Sequence, residues 1–282
     1  MSPATLQDGT ISRKPGAFEK RIHEIDLIRG ILIGLVMMDH LFCWLWQYNE
    51  SWYYSAMAAG RSYEFYKAMA DAFRFYWTST ARQVVRYFAL FGFCFVSGIS
   101  TAFSRNNWIR ACQMIAFAFA LTIGSNILDA FLREPLGLDS MRIDFNVIAV
   151  LAWSTLFYCF IQNKSWRGLV CMLLGSLLVA WYFVPWLQEV TIIHHLNIYA
   201  PPFIEPDASQ ADWMPLFPFM CFFLMGALLS YFVYLPERKS LIKHRGNWER
   251  PLCFMGRHSL LFYLCHQMVL IPFFLLLDVF LG

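Results

Sequence analysis

Long apolar runs recur along this chain, separated by short polar interruptions. Crossing a bilayer as a helix takes about 20 mostly apolar residues. Seven stretches meet that requirement: Leu27–Trp46, Val84–Phe103, Ile109–Leu128, Phe145–Ile161, Leu169–Leu187, Met214–Leu235 and Ser259–Leu281. Membrane β-strands would instead alternate over about 10 residues, and these runs are continuous and longer. Ser62–Trp77 reads differently. It mixes Tyr63, Phe65, Tyr66, Phe73, Phe75, Tyr76 and Trp77 with Glu64, Lys67, Asp71 and Arg74, a pattern that suits a helix lying in the membrane surface. The pattern predicts an all-α, polytopic membrane helix bundle of about seven transmembrane helices plus one interfacial helix. Residues 1–20 read as a cytoplasmic tail and residues 21–282 as the transmembrane domain.

Composition agrees. The chain has 282 residues, 59% hydrophobic and 15% charged, with a mean hydropathy of +0.47. Soluble domains carry about 25% charged residues, so too few charges remain here to cover a soluble surface. A cytosolic enzyme, a disordered chain and a nucleic-acid-binding module are excluded. The net charge of +3 is small, and its distribution says more. With the N-terminus in the cytoplasm, most of the 22 basic residues fall in inner segments: Arg13–Arg29, Arg105 and Arg110, Lys164 and Arg167, and Arg238–Arg257. The segment Gln188–Trp213 has no Lys or Arg and holds Glu189, Glu205, Asp207 and Asp212. The positive-inside rule then places the N-terminus inside and the C-terminus outside. Only the Arg61–Arg86 group disagrees. The first span follows about 26 residues and exceeds a usual signal-peptide core, so it is expected to be a span of the mature chain.

The eight cysteines lie mostly within spans, and none has C-x-x-C spacing. They read as small packing residues, with no metal site. There is no P-loop, no G-x-G-x-x-G and no G-x-S-x-G, which leaves an ATPase, a Rossmann unit and a serine hydrolase elbow without support.

Ionisable groups inside spans are costly and point to function. Arg29 and His40 are 11 residues apart, so they share a helix face to within about 20°, roughly 16 Å apart along the axis. Asp26 can pair with Arg29, and Gly30-x-x-x-Gly34 permits close approach of another helix or a ligand. Asp39 precedes His40. Adjacent helical residues diverge, so Asp39 can orient a group on another helix. In the last span, Ser259, Tyr263 and His266 lie near one face. Asn126 and Asp129 end the third span, and Asp144 and Asn146 open the fourth. These polar residues read either as helix caps or as outward-facing substrate contacts. Adjacent His194 and His195 diverge and make a poor metal pair.

Four segments, in register, are similar to one family. Arg21 to His40 (R-x-x-x-I-D-L-I-R-G, then M-M-D-H) resembles the first span of the bacterial branch of the heparan-alpha-glucosaminide N-acetyltransferase-like membrane acyltransferases. Phe95–Ser100 resembles that family's Gly-x-Ser second span. Asp212–Phe219 with Gly226-Ala227 resembles its PLFPW…GA span, and Gly256 to Gln267 resembles its closing GRxSLxxYLxHQ span. Asn146 stands where the family pattern leads one to expect Gly. The resemblance implies an acyltransferase domain over residues 21–282. It implies transfer of an acetyl group from cytoplasmic acyl-CoA, a co-substrate and not a bound cofactor, to an acceptor across the membrane.

On that reading Arg29, Asp26 and Arg257 line the mouth that takes CoA, because guanidinium groups match phosphate. His40 acts as general base, since imidazole has an unperturbed pKa near 6.5. Asp39 orients it or balances its charge, and His266, Tyr263 or Asn126 donates to the oxyanion. Asn126, Asp129, Asn146 and Tyr263 are the expected substrate contacts. The expected partners are membrane lipid, acyl-CoA and a carbohydrate or glycolipid acceptor, with no nucleic acid; the bundle is open to homodimer formation. The expected location is a bacterial inner membrane. The rival is a proton-coupled transporter using Asp39, His40 and His266, whose sequence sign would be an internal repeat with interrupted helices.

Overall fold

The computed structural model describes residues 22–104, 106–136, 143, 146–162, 166–183, 214–234, 240 and 246–281. Several expectations lie outside the described residues: the tail, Arg105, Asp144, Lys164, the acidic segment Gln188–Trp213 with its two histidines, and Arg238, Lys239, Lys243 and Arg245. Among the described residues the chain is helical, without strands. In order the helices are α1 (His23–Ala58), α2 (Glu64–Thr78), α3 (Thr80–Ser100), α4 (Asn107–Leu136), α5 (Val147–Ile161), α6 (Trp166–Leu178), α7 (Leu216–Val233), α8 (Glu249–Arg257) and α9 (Ser259–Leu281). A 3-10 turn, Thr101–Phe103, extends α3, and a π turn, Val179–Phe183, extends α6.

Five helices are long and apolar enough to cross a membrane: His23–Ala58, Thr80–Phe103, Asn107–Phe131, Leu216–Val233 and Ser259–Leu281. Two shorter apolar helices, Val147–Ile161 and Trp166–Tyr182, stand at the remaining two expected spans. Together they make an all-α membrane helix bundle. The outward faces carry Phe119, Ile123, Ile127 and Phe131 on α4 and Met268, Val269, Leu276 and Val279 on α9, apolar residues that lipid accepts and water does not.

The described residues form two compact units, one within residues 91–239 and one within residues 21–90 and 240–282. In the first, α3 and α7 cross at glycines. A Cβ on Gly98 would lie 1.9 Å from the Phe223 carbonyl oxygen, and one on Gly226 1.9 Å from that of Phe95. The backbones therefore touch where only glycine fits. Phe91 stacks on Phe222 beside them, with centroids 4.2 Å apart. Asn107 donates to the Thr101 carbonyl and to Gln162 Oε1, at 3.2 and 2.9 Å, inside the same unit.

The second unit is built on α1, 36 residues long and so about 54 Å. The helix runs 12 residues past the expected Trp46, because no Gly or Pro occurs between Gly34 and Gly60. Gly60 ends it with φ +65°. Arg61 N–H reaches the Ala56 carbonyl at 2.9 Å, six residues to one, and closes the turn. The amphipathic α2 then packs back along α1, antiparallel, through aromatic pairs: Tyr53 with Tyr63, Trp52 with Tyr66, Phe42 with Phe73 and Trp46 with Trp77. The parallel α9 packs on another side of α1, around Tyr48, Trp52 and Phe274. The short α8 crosses α1 at a second glycine pair. A Cβ on Gly30 would lie 1.8 Å from the Leu252 carbonyl oxygen, and one on Gly256 1.7 Å from that of Asp26.

Candidate active site

One residue, Ser79, separates α2 from α3. Its extended backbone (φ −72°, ψ 139°) ends α2. Its hydroxyl accepts from Arg82 N–H at 3.2 Å and donates to the Tyr76 carbonyl at 2.7 Å, which makes it the N-cap of α3. The break thus sets the last turn of α2 and the first turn of α3 side by side, facing the middle of α1.

Asp39 of α1 receives both. Arg82 Nε donates to Oδ1 and Nη2 to Oδ2, each at 2.8 Å, a planar two-bond match between guanidinium and carboxylate. The Tyr76 hydroxyl donates to Oδ1 at 3.0 Å. Arg82 also lies over the Trp77 ring, 3.5 Å from its centroid, a cation–π contact. The Arg82 side chain is 4% exposed and that of Asp39 18%. The Tyr76 phenol is pushed up to about 12, first by burial and then by the Asp39 carboxylate. It therefore keeps its proton and stays a donor at neutral pH.

His40, one residue on, faces a different side, as about 100° of helical turn requires. It meets α9. Its ring centroid is 5.0 Å from that of His266, edge to face. Gln267 Nε2 lies 2.5 Å from His40 Nδ1, and Gln267 Oε1 accepts from the Trp44 indole N–H at 3.0 Å. His266 is 6% exposed. Its Nδ1 lies 2.6 Å from the Tyr263 carbonyl and 3.3 Å from that of Phe262. The Tyr263 ring is 5.9 Å from that of His266. Two imidazoles, a charge pair and an amide thus share the central stretch of α1 with its neighbours on α2, α3 and α9. Such a cluster can accept a proton, donate one and stabilise a developing charge.

A second polar group lies about 21 Å back along α1, at its first turn. Arg257 Nε is 3.5 Å from Asp26 Oδ2, with the Arg257 side chain 47% exposed. His23 Nε2 meets Glu249 Oε2 at 2.5 Å, and Ser240 donates to Glu24. Arg29 is half-buried on the same helix.

The expected site residues divide between the units. Asp39, His40, Tyr263 and His266 come together in the second unit, as do Asp26 and Arg257. Asn126, Asp129 and Asn146 belong to the first. There Asn126 Nδ2 donates to the Thr122 carbonyl of its own helix at 2.8 Å, and Asp129 is 8% exposed. Asn146 Oδ1 caps α5 by accepting from Ile148 and Ala149 N–H. Sequence reasoning did not single out Arg82, Tyr76, Gln267 or Trp44. For Arg82 a signal existed, because it belonged to the one basic group that disagreed with the charge asymmetry.

Residues 21–268 match the family model described as heparan-alpha-glucosaminide N-acetyltransferase, catalytic, and the chain belongs to that family. It is a membrane protein of an acetyltransferase family. Comparison with curated proteins and with solved structures returns no match.

Proposed function

We propose that this protein moves an acetyl or related acyl group from cytoplasmic acyl-CoA to a hydroxyl or amine of a sugar or glycan on the outer side of the membrane. The observation that carries the reading is the pair of imidazoles, His40 and His266, 5.0 Å apart on helices that belong to the membrane bundle. A pair of titratable rings, His266 buried and His40 half-buried, is expensive in a bundle, and acyl transfer uses it directly. One ring removes the acceptor proton and the other steadies the carbonyl oxygen as the thioester is attacked. The Asp39–Arg82 pair holds the α2–α3 break against α1 beside these rings.

The Asp26–Arg257 end of α1 suits the phosphates of CoA, since a half-exposed guanidinium can exchange a carboxylate for a phosphate. The charge asymmetry of the sequence supports a cytoplasmic position for that end. Tyr263, beside His266, is the acceptor contact this unit supplies, and Asn126, Asp129 and Asn146 are the further candidates in the other. The test is incubation of the protein in liposomes with isotope-labelled acetyl-CoA and a mixture of envelope glycans and glycolipids, followed by mass spectrometry. Labelled acetyl on a saccharide is the expected result. No incorporation into any acceptor, with no binding of acetyl-CoA, would overturn the reading.

A further inference from the structure

The hydrogen bonds around the two histidines determine which nitrogen of each carries its proton. The Trp44 indole N–H is a donor only, so the Gln267 atom facing it, at 3.0 Å, must be the carbonyl oxygen. That fixes the amide. Gln267 then presents its NH2 group, also a donor only, to His40 Nδ1 at 2.5 Å. His40 Nδ1 must accept. In a neutral imidazole the proton is therefore on Nε2. His266 is fixed the opposite way. Its Nδ1 faces two backbone carbonyls of its own helix, Tyr263 at 2.6 Å and Phe262 at 3.3 Å. Carbonyl oxygens only accept, so Nδ1 carries the proton and Nε2 carries the lone pair.

We propose that Trp44 and Gln267 are positioning residues that hold His40 as a hydrogen-bond donor through Nε2, and that His266 supplies the basic nitrogen. The assignment rests on the acyl-transfer reading and reverses the roles expected from the sequence, where His40 was the base. In the reaction, His266 Nε2 takes the proton of the acceptor hydroxyl or amine as its oxygen or nitrogen bonds to the thioester carbonyl carbon. The carbonyl π pair moves to oxygen, which His40 Nε2–H stabilises. When the tetrahedral species collapses, that pair re-forms the carbonyl and the C–S bond breaks. The CoA sulfur leaves with the bonding pair and takes the proton from His266. The products are the acylated acceptor and CoA thiol, and both histidines return to their starting tautomers. Asp39, Arg82 and Tyr76 bond to one another on the other side of α1, and Tyr263 lies beside His266.

The test is two-bond proton–nitrogen correlation NMR of protein carrying 15N-histidine in nanodiscs, with His40→Ala and His266→Ala used to assign the signals. The expected spectrum shows His40 protonated at Nε2 and His266 at Nδ1. His40 protonated at Nδ1, or His266 at Nε2, overturns the proposal. Gln267→Glu offers only acceptors. It is expected to pull the His40 proton to Nδ1 and to lower kcat for acetyl transfer roughly 10²-fold, the scale of a misplaced acid–base group, with KM for acetyl-CoA unchanged. Trp44→Phe frees the amide to turn and is expected to give a mixture of His40 tautomers with a smaller loss of kcat. An unchanged His40 tautomer in Gln267→Glu overturns the positioning role. The expected tautomers in a wild-type protein that neither binds nor turns over acetyl-CoA would overturn the acyl-transfer reading and the base role with it, while the tautomer assignment itself would stand.

Discussion

Each unit closes a helix crossing with two glycines, yet the two crossings are furnished differently. Around Gly98 and Gly226 the neighbours are aromatic, the buried Asn107 and Gln162 are neutral, and Arg110 donates to the Ser97 hydroxyl at 3.3 Å. Around Gly30 and Gly256 stand Asp26 with Arg257, His23 with Glu249, and Glu24 with Ser240. Farther along the same α1 come Asp39 with Arg82 and His40 with His266. The first crossing brings two backbones into contact with no ion pair among the side chains just named, its cation meeting only a hydroxyl. Packing two backbones at a glycine crossing therefore does not need the ion pairs that the second unit carries. Asp39, His40 and His266 lie at the middle of their helices, where ionisable groups cost free energy in a bilayer, and these point to chemistry.

The comparison breaks first at the glycines. Gly30→Val and Gly98→Val each place carbon less than 2 Å from a carbonyl oxygen, so both are expected to abolish folded protein, read as loss of the monodisperse peak in detergent. The next test sits on the charge pair. Arg82→Gln leaves Asp39 without its cation and is expected to destabilise by about 3 kcal/mol. Adding Asp39→Asn to that variant is expected to recover most of the loss, measured by thermal unfolding of the four proteins of a double-mutant cycle. In the first unit, Asn107→Ala is expected to cost about 1–2 kcal/mol, with turnover per folded molecule unchanged. The smallest effect on stability belongs to Arg257→Gln. Its half-exposed pair contributes at most about 1 kcal/mol, and the variant is expected to keep its melting temperature while KM for acetyl-CoA rises several-fold.

The seven apolar helices were legible in the sequence because each is a run of hydrophobic residues with polar ends; α9 has the expected bounds, Ser259–Leu281. The nine-residue α8 was not foreseen, because a short segment containing Glu249, Arg250 and Arg257 has no apolar run to mark it. Asp39, His40 and His266 stood out because lipid makes charge conspicuous. Their partners did not. Arg82 was grouped with the bases of the long first loop, and only the α2–α3 break at Ser79 turns it inward to Asp39. Gln267 follows His266 directly, yet a neutral amide carries no such penalty, and its role exists only once Trp44 and His40 flank it.

The central claim is that His40 and His266 form one acid–base centre for acyl transfer. The most direct measurement is the rate of CoA thiol release from acetyl-CoA, in proteoliposomes supplied with the acceptor identified by mass spectrometry, for wild type, His40→Ala, His266→Ala and the double variant. Melting temperatures are taken on the same preparations. Each single variant is expected to lose about 10²- to 10⁴-fold in rate while remaining folded, and the double variant to lose little more than either alone, because the two rings act as a unit. A folded double variant with wild-type rate would contradict the account.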